Sequence, residues 1–242
     1  MEFQFETSEQ IKRSIQQKPI ALLPVGAVEA HGAHLPLGTD NVLAEEMAKK
    51  LAERTPAYVL PTMPFGQVWS LKDFPGSLNV SNEALIAILT DLGESLYRQG
   101  FRIFAMINGH LGNGVALKEA ARVLYDTCPD LKVFYFFYPG MSQTVPTVRE
   151  TTAAHSSYFH ACEIETSFML YLAKQHVDMT KAIDDTPNIP ATADVTPTPW
   201  QAFTSTAVLG DATLAHADKG KVVIDHALEQ MTTMLHDALE YD

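Results

Sequence analysis

Cysteine is scarce: Cys128 and Cys162 leave room for one disulfide, and their spacing is not that of a stapled secreted scaffold. No apolar run reaches the length needed to span a bilayer. The N-terminus carries Glu2, Glu6 and Glu9 in place of the basic start and apolar stretch of a signal peptide, which sets the expectation of a cytoplasmic protein. Basic residues are also few, with seventeen Lys and Arg against twenty-nine Asp and Glu, for a formal charge of −12. That balance opposes attraction to nucleic acid or to an anionic membrane surface and points to a small-molecule partner. There is no internal repeat at a fixed period and no low-complexity tract.

What is present is a chain of 242 residues, 46% hydrophobic, long enough for one large core and short for two ordinary domains. A single domain over 1–242 is expected. Short apolar runs bounded by turn formers alternate with stretches of helical period, the pattern of an α/β domain with a largely parallel central sheet flanked by helices. Candidate strands are 20–26, 58–64, 102–108 and 132–137. Leu43, Met47 and Leu51 mark one helix face, Leu85, Leu89, Leu92 and Leu96 a second, and Leu117, Ala121 and Leu124 a third. Ile224, Leu228, Met231 and Leu235 keep the same spacing near the C-terminus and should cover one face of the sheet. The stretches 138–159 and 177–215 break the pattern and read as lids or subunit contacts.

Three polar clusters carry the chemistry. Glu29, His31, His34 and Asp40 follow the run 20–26, where an α/β sheet places its ligands. In an extended segment Glu29 and His31 point to one side and can converge on a cation. Asp40 also reads as the cap of a helix beginning near Asn41. Asn108, His110 and Asn113 follow the run 102–108 and should lie at the same sheet edge. His160, Glu163 and Glu165 open a third segment at a helix start, where His160 and Glu163 share a face.

The segments LLPVGAVEAHGAHLPLGTD, FPGS, NGHLGN and HACEIETS, in this order over roughly residues 20–170, resemble the motif set of the creatininase family. The resemblance implies a creatininase-like α/β fold and a centre of two divalent metal ions, with Asp40 bridging them. Glu29 and His110 would complete one ion, and His31 the other. In creatinine-hydrolysing members a metal-binding glutamate stands two positions past the histidine of the third motif; here that position is Gly112. Glu163 is the expected replacement beside His31. Mixed imidazole and carboxylate ligands suit zinc and manganese, with iron also admissible.

By the same resemblance His160 is the acid that protonates the leaving nitrogen, with Glu165 either orienting it or holding the adjoining loop. His34 reads as a hydrogen-bonding partner of a ligand and not as a ligand itself. Trp69, Tyr138, Tyr158 and Trp200 are candidates for pocket wall or for core packing. The implied activity is hydrolysis of a carbon–nitrogen bond in an amide, cyclic amide or formamide. Opening of a keto-sugar ring, trimming of a modified peptide and noncatalytic binding are the alternatives. The family resemblance also implies a homo-oligomer, commonly a hexamer.

Overall fold

The computed structural model describes residues 1–240. Four parallel strands form the central sheet: β1 (Ile20–Val25), β2 (Ala57–Val59), β3 (Ile103–Asn108) and β4 (Lys132–Phe136), in the spatial order β2-β1-β3-β4. Every residue of β1 and β3 is buried, as expected for central parallel strands covered on both faces. Before the sheet comes α1 (Ser8–Ser14), and α2 (Thr39–Ala52), α3 (Asn82–Gln99) and α4 (Gly114–Thr127) make the three crossovers. They are followed by α5 (Met141–Val148), α6 (Glu163–Leu172) and α7 (Ala217–Glu240). Asp184–Asp185 (β5) and Gly210–Asp211 (β6) pair as a small antiparallel ribbon.

Side chains alternate across the sheet. Ile20, Leu22, Ile103 and Ala105 pack with Leu43, Met47 and Leu51 of α2, Phe168 of α6, and Ile224, Leu228, Met231 and Leu235 of α7. Ala21, Leu23, Phe104 and Met106 meet Leu89 and Leu96 of α3 and Leu117, Ala121 and Leu124 of α4 on the other side. The expected role of the last helix is therefore met. Leu92 departs from its expected place and lies 36% exposed. One position on, Gly93 turns inward, and a Cβ there would stand 2.4 Å from Leu124 Cδ1, so the two helices touch through a missing side chain.

The run 58–64 forms a strand only to Val59. Pro61 has no N–H to give to a ladder, and the chain continues beside β1 through single bonds from Leu60 N to Leu22 O and from Met63 N to Pro24 O. The stretch 138–159 contains a two-turn helix, α5, while 177–215 is mostly irregular apart from β5, β6 and short helical turns. No helix among the described residues is long and apolar enough to cross a membrane.

Because the strand order changes direction between β1 and β3, the segments leaving these two strands diverge and open a crevice at their carboxyl ends. Ser81 caps α3, its hydroxyl accepting from Ala84 N, and left-handed Gly100 (φ 93°) ends the helix and returns the chain into β3.

Candidate metal centre

Glu29 and His31, from the segment after β1, and Asp40, in the first turn of α2, are each 1% exposed. Asp40 makes no cap; its two oxygens face two histidines. Oδ1 lies 3.2 Å from His31 Nε2 and Oδ2 lies 3.2 Å from His110 Nδ1, where His110 arrives from the segment after β3. Glu29 Oε1 is 3.2 Å from His110 Nδ1 and 3.5 Å from His160 Nδ1. Glu165 Oε2, in the first turn of α6, is 3.6 Å from His31 Nε2 and 3.9 Å from His160 Nδ1.

Each histidine is oriented by a backbone carbonyl. His31 Nδ1–H donates to Glu29 O (3.1 Å), His110 Nε2–H to Gln67 O (2.7 Å) and His160 Nε2–H to Ala30 O (2.7 Å). The other ring nitrogen of each is thereby left with its lone pair turned to the carboxylates. Glu29 Oε2, His31 Nε2 and Asp40 Oδ2 are buried with no hydrogen-bond partner among the described residues. Buried polar atoms without partners are costly, and bound cations would satisfy them. Two donor sets emerge that share Asp40, Glu29–Asp40–His110 and His31–Asp40–Glu165, with Glu29–His31–His160 overlapping both.

The electrostatics show the same demand for positive charge. Burial disfavours charge on His31, yet Asp40, Glu165 and Glu29 outweigh it and raise the group to about 10. His110 is likewise held up against burial by Glu29 and Asp40. Burial pushes Glu165 up against the pull of His31, and the neighbouring Asp40 and Glu29 carboxylates add to the rise. His160 goes the other way: burial and the adjacent His31 push it down to about 4.

Glu163, the expected second-ion ligand, lies outside these donor sets and is engaged elsewhere. Its carboxylate accepts from Lys219 Nζ (2.5 Å), Glu150 N (3.0 Å) and Thr151 Oγ1 (3.1 Å). The helical turn that brings Glu165 to the cluster directs Glu163, two residues earlier, about 200° away. Glu165 therefore occupies the place expected of Glu163, and it also holds its own loop, because Oε2 accepts from Ala161 N at 2.5 Å. Ala161 sits in the left-handed region (φ 48°), and this turn between His160 and the helix lets both side chains face inward.

Gly112 offers no carboxylate, and the space beside it is tight. A Cβ there would stand 2.4 Å from His110 Nε2 and 2.5 Å from Gln67 O, the two atoms whose hydrogen bond orients His110. The asparagines of the motif shape its loop: Asn108 bonds both the N–H and the carbonyl of His110, and Asn113 ties Gly26 O to Gln67 N.

At the cluster opens a cavity of about 260 Å³, lined by Trp69, Leu111, Phe159, Tyr158 and Trp200 together with Ala193 and residues 196–198. Trp69, Tyr158 and Trp200 are thus wall residues, whereas Tyr138 is 4% exposed and packs on Phe168 in the core. His155 stacks on Tyr158 with centroids 3.7 Å apart, Tyr158 on Trp200 at 5.7 Å, and Trp200 meets His160 edge-on at 5.1 Å. Nothing in the sequence marked Gln67 or Ala30, since they act through backbone carbonyls.

A model of the creatinine amidohydrolase (creatininase) family matches residues 4–235. The chain belongs to the creatininase family. Among curated relatives, a 3-dehydro-scyllo-inosose hydrolase of Thermotoga maritima is 26% identical, covering 98% of this chain and 83% of its own length. The creatinine amidohydrolase of Pseudomonas putida is also 26% identical, covering 90% and 89%. A mycofactocin precursor peptide peptidase of Mycolicibacterium smegmatis is 29% identical, covering 84% and 78%. A crystal structure of creatininase superposes with TM-score 0.88 at 23% identity, over 97% of this chain and 96% of the other. A mutant creatininase of Zn-Zn type gives 0.85 at 25%, over 97% and 96%. These creatininase-family relatives are hydrolases with three different kinds of substrate.

Proposed function

We propose that this creatininase-family protein is a binuclear metal-dependent amidohydrolase acting on a carbon–nitrogen bond of a small molecule, as an amide, cyclic amide or formamide. The observation that carries this reading is Asp40, whose two oxygens face histidines of two separate donor sets. Glu29, Asp40 and His110 would hold one divalent ion, and His31, Asp40 and Glu165 the other. Zinc and manganese both suit such a mixture of imidazole and carboxylate, and the Zn-Zn creatininase supports zinc. A structural zinc site is the weaker reading, because neither cysteine joins the cluster.

When bound, two such ions supply a nucleophile from water near neutral pH and stabilise the negative charge that develops during attack. His160 supplies the proton transfer. With Nε2–H fixed on Ala30 O, Nδ1 can take a proton during attack and deliver it to the departing nitrogen. Trp200 packs edge-on against that ring and holds its plane. The aromatic lining of the cavity favours a small substrate with a flat or apolar face, which supports an amide ring over a polyol. Relatedness to the inosose hydrolase keeps opening of a keto-sugar ring as the second reading.

The test is metal content together with turnover. Protein reloaded with zinc or manganese is expected to hold close to two ions per chain and to hydrolyse members of a panel of lactams, formamides and ureides. A stoichiometry near one in fully reloaded protein would remove the shared role of Asp40.

A further inference from the structure

We propose that His34 and Thr166 form a positioning pair for the donor set His31–Asp40–Glu165, through one hydrogen bond between the two segments that carry its ligands. The inference rests on the two-ion reading above and adds a residue pair that touches neither ion.

His34 follows His31 by three residues in the segment after β1, and Thr166 follows Glu165 directly in the first turn of α6. Their side chains meet across 132 residues of sequence, with His34 Nε2 2.9 Å from Thr166 Oγ1. Both are buried, at 1% and 0% exposure. Neither belongs to any of the donor sets. Taking an imidazole and a hydroxyl out of water is costly unless they are bonded, so the pair favours the placement of the two segments that keeps this bond.

That placement brackets Glu165. On its N-terminal side His160 is tied to Ala30 O, and Ala161 N donates to the Glu165 carboxylate itself. On its C-terminal side Thr166 is tied to His34. A helix start free to slide against the β1 segment would carry Glu165 away from His31, now 3.6 Å away. The other donor set, Glu29–Asp40–His110, comes from the segments after β1 and β3 and contains no residue of α6. Loss of the His34–Thr166 bond should therefore weaken one ion and spare the other, a selectivity that general loosening of the fold would not produce.

The experiment is zinc competition against a chromophoric chelator, on the full chain, resolving two binding steps. Thr166→Val removes the hydroxyl at nearly constant shape, and His34→Leu removes its partner. Each is expected to weaken one step by about 10–100-fold, the usual effect of losing a residue that orients a ligand. The weakened step should be the one lost in Glu165→Gln and kept in His110→Ala. Thr166→Ser restores it, and the double variant loses no more than either single one. Melting temperatures of the metal-free proteins accompany the titrations; if His34→Leu does not fold, Thr166→Val and its serine rescue decide alone. Two unchanged steps in Thr166→Val, or equal weakening of both, would overturn the inference while leaving the two-ion reading intact. A single step in the wild type would overturn both.

Discussion

Lys219 Nζ lies 2.5 Å from Glu163 Oε1 and 2.5 Å from Glu150 Oε1, joining the start of α7 to the start of α6 and to the segment that leads into His160. Glu163 is 1% exposed, so its charge depends on this lysine and on the donors of residues 150 and 151. Glu163→Gln is therefore expected to keep both ions and to lower the melting temperature. Removing one partner of a buried pair costs about 3–5 kcal/mol, and the partly exposed lysine places this case at the lower end. Elemental analysis and thermal unfolding of the same preparation check both halves. Selective loss of one ion would return Glu163 to the ligand set.

Gly112 predicts a second effect. Gly112→Ala places a methyl group against His110 Nε2 and Gln67 O, so one of them must move. Overpacking of this kind costs about 1–3 kcal/mol, and here the displaced group is the one that orients His110. The variant is expected to be less stable and to lose the ion held with Glu29 and Asp40 before the other. Unchanged zinc affinity at both steps would show that the loop yields without disturbing His110.

His160→Gln separates proton transfer from metal binding. Glutamine can still donate to Ala30 O but cannot shuttle a proton, so turnover should fall by about 10²–10⁴ with two ions retained. Loss of an ion in this variant would place His160 among the ligands, in the overlapping set with Glu29 and His31.

Assembly gives a fourth expectation. A homo-oligomer, with a hexamer as the expected size, would use the stretches 138–159 and 177–215; in the second, Val195 is 82% exposed beside the cavity-lining Thr196. Light scattering across a range of concentrations measures it. A constant monomer mass would rule it out.

Much of this was legible from periodicity. The four parallel strands, the three crossover helices and the inward face of α7 follow from apolar spacing, because each element buries a stripe or a face. The early end of β2 was encoded too, in Pro61, but a proline inside an apolar run competes with the hydrophobic signal. Glu29, His31, Asp40, His110 and His160, drawn from three separate motifs, lie together in space. Glu163 and Glu165 were harder to separate, since both stand in the first turn and face different ways. The choice depended on the left-handed turn at Ala161, and alanine carries no sign of that conformation in sequence. Carbonyl partners such as those of Gln67 and Ala30 leave no trace at all, because any residue offers the same oxygen.

The chain has two tryptophans, and both Trp69 and Trp200 line the cavity. Every photon of indole emission therefore originates at the mouth of the metal centre, one ring beneath the ammonium of Lys72 and the other against Tyr158 and His160. The molecule carries its own optical gauge of occupancy: a compound entering the cavity changes the solvent around both fluorophores, so candidate substrates can be ranked by titration before any product assay exists.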